Sequence, residues 1–153
     1  DSGYEGGLKT EVECVEAAKA VYAIWLNESL SKHGQVIGIE KVIIANLANI
    51  LIYADVGDST LSSVIPNKDL YVQKNQVVPE LCAKVYTAEQ GIRVMEYANK
   101  ILNSIYDGEI PKELESKFAK LSKRLSLSTD TIGLKKIIGE KVVEAGGYPV
   151  QSF

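Results

Sequence analysis

Residues 79–106 read PELCAKVYTAEQGIRVMEYANKILNSIY. Leu81, Val85, Ala88, Ile92, Met95, Asn99, Leu102 and Tyr106 stand 4, 3, 4, 3, 4, 3 and 4 positions apart. That rhythm gathers them on one side of an α-helix, and Ala98, Ile101 and Ile105 widen the stripe. At 1.5 Å per residue the seam runs for about 42 Å. Pro79 suits a first helical turn, where its missing N–H is no loss. Gly91 costs about 1 kcal/mol against Ala inside a helix, and a close helix crossing is what it is expected to allow. Asp107-Gly108 ends the element.

Outward from this rod the chain supplies neighbours for it. Leu114, Phe118, Leu121 and Leu125 predict a shorter amphipathic helix over 110–126, started by Pro111, with acids early and bases late as the helix dipole favours. Leu134, Ile137, Ile138, Val142 and Ala145 predict a last helix over 129–145, opened by Ser128 or Thr129 and closed by Gly146-Gly147. On the other side, Leu8, Val12, Val15, Tyr22, Leu26 and Leu30 predict a helix over 8–32, widened by Ala18, Val21 and Trp25 and stopped at His33-Gly34. The most apolar stretch is 36–56. Asn46, Asn49 and Tyr53 share one helical face there and strict alternation is absent, so it reads as a buried helix. Its thirteen uncharged residues, 42–54, make about 20 Å, short of the roughly 30 Å of a hydrocarbon core, so no transmembrane segment is expected.

Residues 57–78 carry turn residues: Gly57, Asp58, Ser59 and Thr60, then Pro66-Asn67. They predict a long irregular connection, shortened by one helical turn at Thr60–Ile65. The expected architecture is therefore an all-α, antiparallel four- to five-helix bundle, one domain over 1–153, with that connection between its second and third long helices. The first and third long helices then run parallel, which places Cys14 and Cys82 at the same end. Those two cysteines either pair as a disulfide or are free thiols that behave as small apolar residues.

Composition narrows the function classes. The 153 residues carry 17 Lys and Arg against 20 Asp and Glu, a net charge of −3, which suits no general nucleic-acid binder. One His excludes a His-rich metal site, and two Cys exclude a cysteine-only zinc site. There is no Gly-rich phosphate loop and no Cys-x-x-Cys. A catalytic cysteine would have only His33 as its base. No cofactor is expected, and no enzyme. The chain starts at Asp1 rather than Met, which sets up the expectation of a processed, exported or organelle-lumenal protein. Asn27-Glu28-Ser29 matches a glycosylation acceptor but falls inside a predicted helix.

Charge is polarised. Residues 1–16 hold five acids and one base, net −4. Residues 112–141 hold eight bases and four acids, net +4. The bases, Lys112, Lys117, Lys120, Lys123, Arg124, Lys135, Lys136 and Lys141, form a candidate docking surface for an acidic surface, a phosphate backbone or a membrane headgroup layer, though no aromatic residues are interleaved as a single-strand nucleic-acid platform needs. Between copies, the acidic front would meet the basic back head to tail. Asn46, Asn49, Tyr53 and Asn99 form a candidate buried polar network that sets helix register or anchors an apolar ligand.

The stretch Lys68-Asp69-Leu70-Tyr71-Val72-Gln73-Lys74-Asn75 resembles the Tyr-Val-Gln-Asn stretch of PsbQ-type extrinsic subunits of photosystem II. It lacks the aromatic before Tyr71 and inserts Lys74. The resemblance implies a lumenal helical bundle and transfers no site residue. The function expected from all of this is a non-enzymatic structural subunit of a larger assembly, homo- or hetero-oligomeric. The alternatives are a carrier of a lipid or pigment in the bundle core and an extrinsic lumenal photosystem-type subunit.

Overall fold

A computed structural model describes residues 8–33, 41–74, 76–106 and 109–146. Six helices follow in order: α1 Lys9–His33, α2 Lys41–Val64, α3 Lys68–Gln73, α4 Val78–Tyr106, α5 Lys112–Leu125 and α6 Thr131–Glu144. The all-α bundle expected from periodicity is the fold observed.

The architecture is layered. α1 and α4 form the centre, parallel to each other as expected: Cys14 lies beside Gln90, and Trp25 donates its indole N–H to the Ala98 carbonyl at 2.9 Å. α2 runs antiparallel to both on one side, with Val21 and Trp25 near Ile43, Leu47 and Ile50 at one end and Leu8 near Leu61 and Val64 at the other. α5 runs antiparallel to α1 on another side, where Phe118 meets Trp25 edge to face with centroids 5.0 Å apart. α6 packs on α4 and contributes no buried residue.

Two sequence expectations change. The long irregular connection at 57–78 is largely helix, because α2 continues to Val64 and α3 occupies Lys68–Gln73. Turn residues are overridden there by packing. Gly57 is buried so closely that a Cβ would lie 3.0 Å from the Val15 side chain, and Asp58 pairs with Lys19 at 2.9 Å. The heptad seam on α4 is also rotated. Ile92 and Asn99 face outward, while Thr87, Gly91, Val94, Ala98 and Ile101 are buried. Val85, Ala88 and Leu102 of the expected seam are buried too, and the small residues Thr87, Gly91 and Ala98 stand among the larger Val94 and Ile101 on that inner face. The four-member polar network is consequently not made. Asn99 is exposed, and the buried Asn46 donates to the Val42 carbonyl one turn back.

α6 starts one residue later than the expected caps: Asp130 accepts from the Gly133 N–H at 3.0 Å. Its end is as read, with Gly146 at a φ of +72°, a conformation that favours glycine.

The close crossing expected at Gly91 is the tightest point of the bundle. A Cβ there would sit 2.1 Å from the Leu125 carbonyl oxygen and 3.1 Å from Cys14 Sγ. Three helices meet on that hydrogen atom, and the obstructing groups are a backbone carbonyl and a buried thiol that have nowhere to go. Gly91→Ala therefore sets a helix-propensity gain of about 1 kcal/mol against overpacking of about 3 kcal/mol, and overpacking wins. Urea unfolding is expected to show a net loss of about 2 kcal/mol, with Trp25 fluorescence reporting the shift of α5.

Candidate contact surfaces

The chemistry-bearing side chains are spread through the fold rather than gathered. Cys14 and His33 sit towards opposite ends of α1, 19 positions apart, which is about 28 Å of helix. The Cys14–Cys82 pairing is not formed; both thiols are free. The two helices are parallel, but their register places Cys14 level with Gln90, eight residues past Cys82, or about 12 Å along α4. The Asn27 acceptor pattern lies within α1, and its Ser29 hydroxyl is buried and donates to the Trp25 carbonyl at 2.7 Å.

Cys14 Sγ is 3.7 Å from the carbonyls of Thr87 and Leu125 and receives the Gln90 amide at 3.3 Å. Burial pushes its pKa up to about 12, with the Glu11 charge adding to the rise and the Gln90 bond opposing it. Half-buried Cys82 is raised by burial alone. A thiolate is the reactive form, so Cys14 is inert.

The basic docking surface expected over α5 and α6 is divided. All eight bases are exposed, but α5 rests on α1 and α4 while α6 rests on α4. Lys117, Lys135 and Lys141 are engaged by Glu113, Glu89 and Glu144. Lys117, Lys120 and Arg124 border a 240 Å³ groove over Ile24 and Leu121. The acidic front is thinner than its sequence count: Glu11 is buried, Glu16 meets Lys19, and Asp1 and Glu5 lie outside the described residues.

A cleft of 450 Å³ opens between α2 and α4 beside Tyr53, Tyr86 and Ile92. Tyr53 stacks on Tyr97 with centroids 6.0 Å apart. Its rim charges are already matched, Glu89 by Lys135 at 2.6 Å and Arg93 by Glu96 at 3.6 Å. A ligand would find no free charge there. Among the described residues, no three His, Cys, Asp or Glu converge as a metal set.

Sequence reasoning missed the most distinctive surface. α2 buries Ile43, Leu47, Ile50 and Ala54 against α1 and α4. Its opposite face carries Val42, Ile44, Ala45, Ala48, Leu51, Ile52 and Val56, all exposed. Val42 is 59% exposed and Ile52 57%. At 24 residues α2 is long and apolar enough to cross a membrane, and a third of its apolar window is buried in the bundle. The signal was in the sequence. Between Val42 and Ala54 the polar side chains Asn46, Asn49 and Tyr53 share one face, so apolar residues reach round the rest of the helix and need cover there.

Comparison with known protein families, characterised proteins and solved structures finds no match. The photosystem resemblance at Lys68–Asn75 thus stands on those residues alone. Tyr71 among them is buried in α3, against the cluster at the ends of α1 and α2.

The thiols give a direct check. Intact mass without reductant is expected to show both cysteines free, with a thiol reagent at pH 8 modifying Cys82 first and Cys14 only on unfolding. Cys14 also makes stability pH-dependent. Its folded pKa lies above its unfolded one, so its contribution is full below about pH 9 and fades as pH rises towards 12. From pH 8 to pH 10 the wild type is expected to lose about 1 kcal/mol more than Cys14→Ala, measured as urea unfolding free energy at each pH.

Proposed function

We propose that this chain is a non-enzymatic, structural interaction subunit of a larger protein assembly, and that the outer face of α2 is the surface it docks with. The observation that carries this is the run of seven adjoining exposed apolar positions from Val42 to Val56, opposite the side that α2 buries. Scattered surface apolar residues need no explanation; a contiguous patch marks a contact. Completing the burial of its five large side chains is worth about 5 kcal/mol. The exposed salt bridges elsewhere are each worth less than about 1 kcal/mol, so they are not what would hold a partner.

The separation of Cys14 from His33 and the matched charges of the α2–α4 cleft support the non-enzymatic side of the reading. A carrier of an apolar ligand is the second reading. It is favoured by a 310 Å³ cleft over Val12, Val15, Leu61 and Ile65, at the lower end of the range of about 300–1,000 Å³ typical of ligand pockets. That cleft is bordered by Glu16 and Asp58 and lies on the surface, while Trp25, Ile50, Val94 and Ile101 fill the bundle centre. Contact therefore has the better support.

The test is size in an extract of the native source, run at high chain concentration because a contact made by one helix face is weak. The full chain is expected to elute in a complex well above its own 16.7 kDa. Leu51→Glu with Ile52→Lys is expected to release it as a single chain, with unchanged helical circular dichroism. A wild-type chain that elutes alone, or a doubly substituted chain that stays in the complex, contradicts the reading.

A further inference from the structure

We infer that the partner of the α2 outer face is α2 of a second copy of this chain, antiparallel about a twofold axis at Ala48. This rests on the contact reading above and names its occupant. Lys41, Ala45, Ala48, Ile52 and Asp55 follow steps of four, three, four and three, Ile44 and Leu51 lie four and three positions from Ala48, and all seven are exposed on one side of the helix. Setting Ala48 against Ala48 fixes every other pair. Ala45 then faces Leu51, Ile44 faces Ile52, and Lys41 faces Asp55, each twice.

Three features select this arrangement. The small residue lies at the crossing, where backbones approach most closely, and Ala45 is matched with a large Leu51. The ends match in charge, and neither Lys41 nor Asp55 makes an ion pair among the described residues, whereas neighbouring Asp58 is engaged by Lys19. A parallel pairing is disfavoured, since it sets Lys41 on Lys41 and Asp55 on Asp55. The contact is isologous and closes at two copies, unlike a head-to-tail meeting of acidic and basic ends. The apolar strip from 42 to 54 is about 20 Å long. One such helix pair lies below the standard interface size, so the dimer is weak, with a Kd on the order of 10 µM.

Sedimentation velocity of the purified full chain, from about 1 to 300 µM, is the experiment, run with charge variants and a cross-link. The wild type is expected to pass from monomer to dimer across that range. Lys41→Asp alone and Asp55→Lys alone are each expected to weaken the dimer about tenfold by placing like charges together. The two combined are expected to restore it to within about threefold, because the swap rebuilds both pairs. In a Cys82→Ser background, mild oxidation of Ala48→Cys is expected to give a disulfide-linked dimer, while Lys123→Cys on α5 gives little.

A purified chain that stays monomeric over this range overturns the second copy as partner. So does a dimer indifferent to the charge variants, a dimer without the Ala48→Cys cross-link, or a monomer that collects on phosphatidylcholine vesicles instead. If the native extract still holds the chain in a larger complex that the Leu51→Glu and Ile52→Lys pair disrupts, the contact reading survives that failure. A single chain in both experiments removes both.

Discussion

One constraint organises this molecule: α2 is apolar around most of its circumference, and the bundle covers only one side of it. Ile43, Leu47, Ile50 and Ala54 are shielded by α1 and α4. Ile44, Leu51 and Ile52 on the opposite side are not. A helix of that composition ordinarily sits in the middle of a protein or a membrane. Here it forms an outer layer, so the fold leaves an unsatisfied hydrophobic demand, and the functional account follows from it.

The rest of the bundle explains why the uncovered helix is α2. α1 and α4 occupy the centre and lock to α5 through Gly91, where the Leu125 carbonyl and Cys14 crowd against a position with no side chain. Trp25 bridges the same layers, with its N–H on α4 and its ring on Phe118 of α5. The sides of α1 and α4 away from α2 are thereby filled by α5, with α6 against α4. No described element remains to cover α2 from outside. The charged groups on α5 and α6 are spread over two supports and partly neutralised within the chain, which weakens them as a single docking surface.

Periodicity made most of the fold legible. The five longer helices lie within a few residues of where the apolar spacing put them, except α2, whose expected first residues 36–40 lie outside the described ones and whose C-terminal end runs further. There Gly57, Asp58 and Ser59 have the chemistry of a turn, and the helix runs through them with Gly57 packed against Val15 and Asp58 paired with Lys19. The α4 seam was legible in part: Val85, Ala88, Ala98, Ile101 and Leu102 are buried as the spacing put them, whereas hydrophobicity counting favours exposed Ile92 over buried Thr87 and Gly91. In a crowded centre the small residues mark the inner face. Of the two readings open for the cysteines, the free-thiol one holds for a register reason: parallel helices at the same end of a bundle still differ by turns, and eight residues separate Cys82 from the level of Cys14. The outer face of α2 was visible as a long uncharged run, yet a single chain does not reveal which side its own neighbours will cover.

The central claim is that the outer face of α2 is covered by the same face of another copy. Isotope-filtered NMR on a mixture of ¹³C-labelled and unlabelled chain at high concentration tests it most directly. The account predicts intermolecular contacts between the methyl groups of Ile44 and Ile52, fading on dilution. Methyl signals from these two residues that are unchanged by dilution and show no intermolecular contact would contradict it.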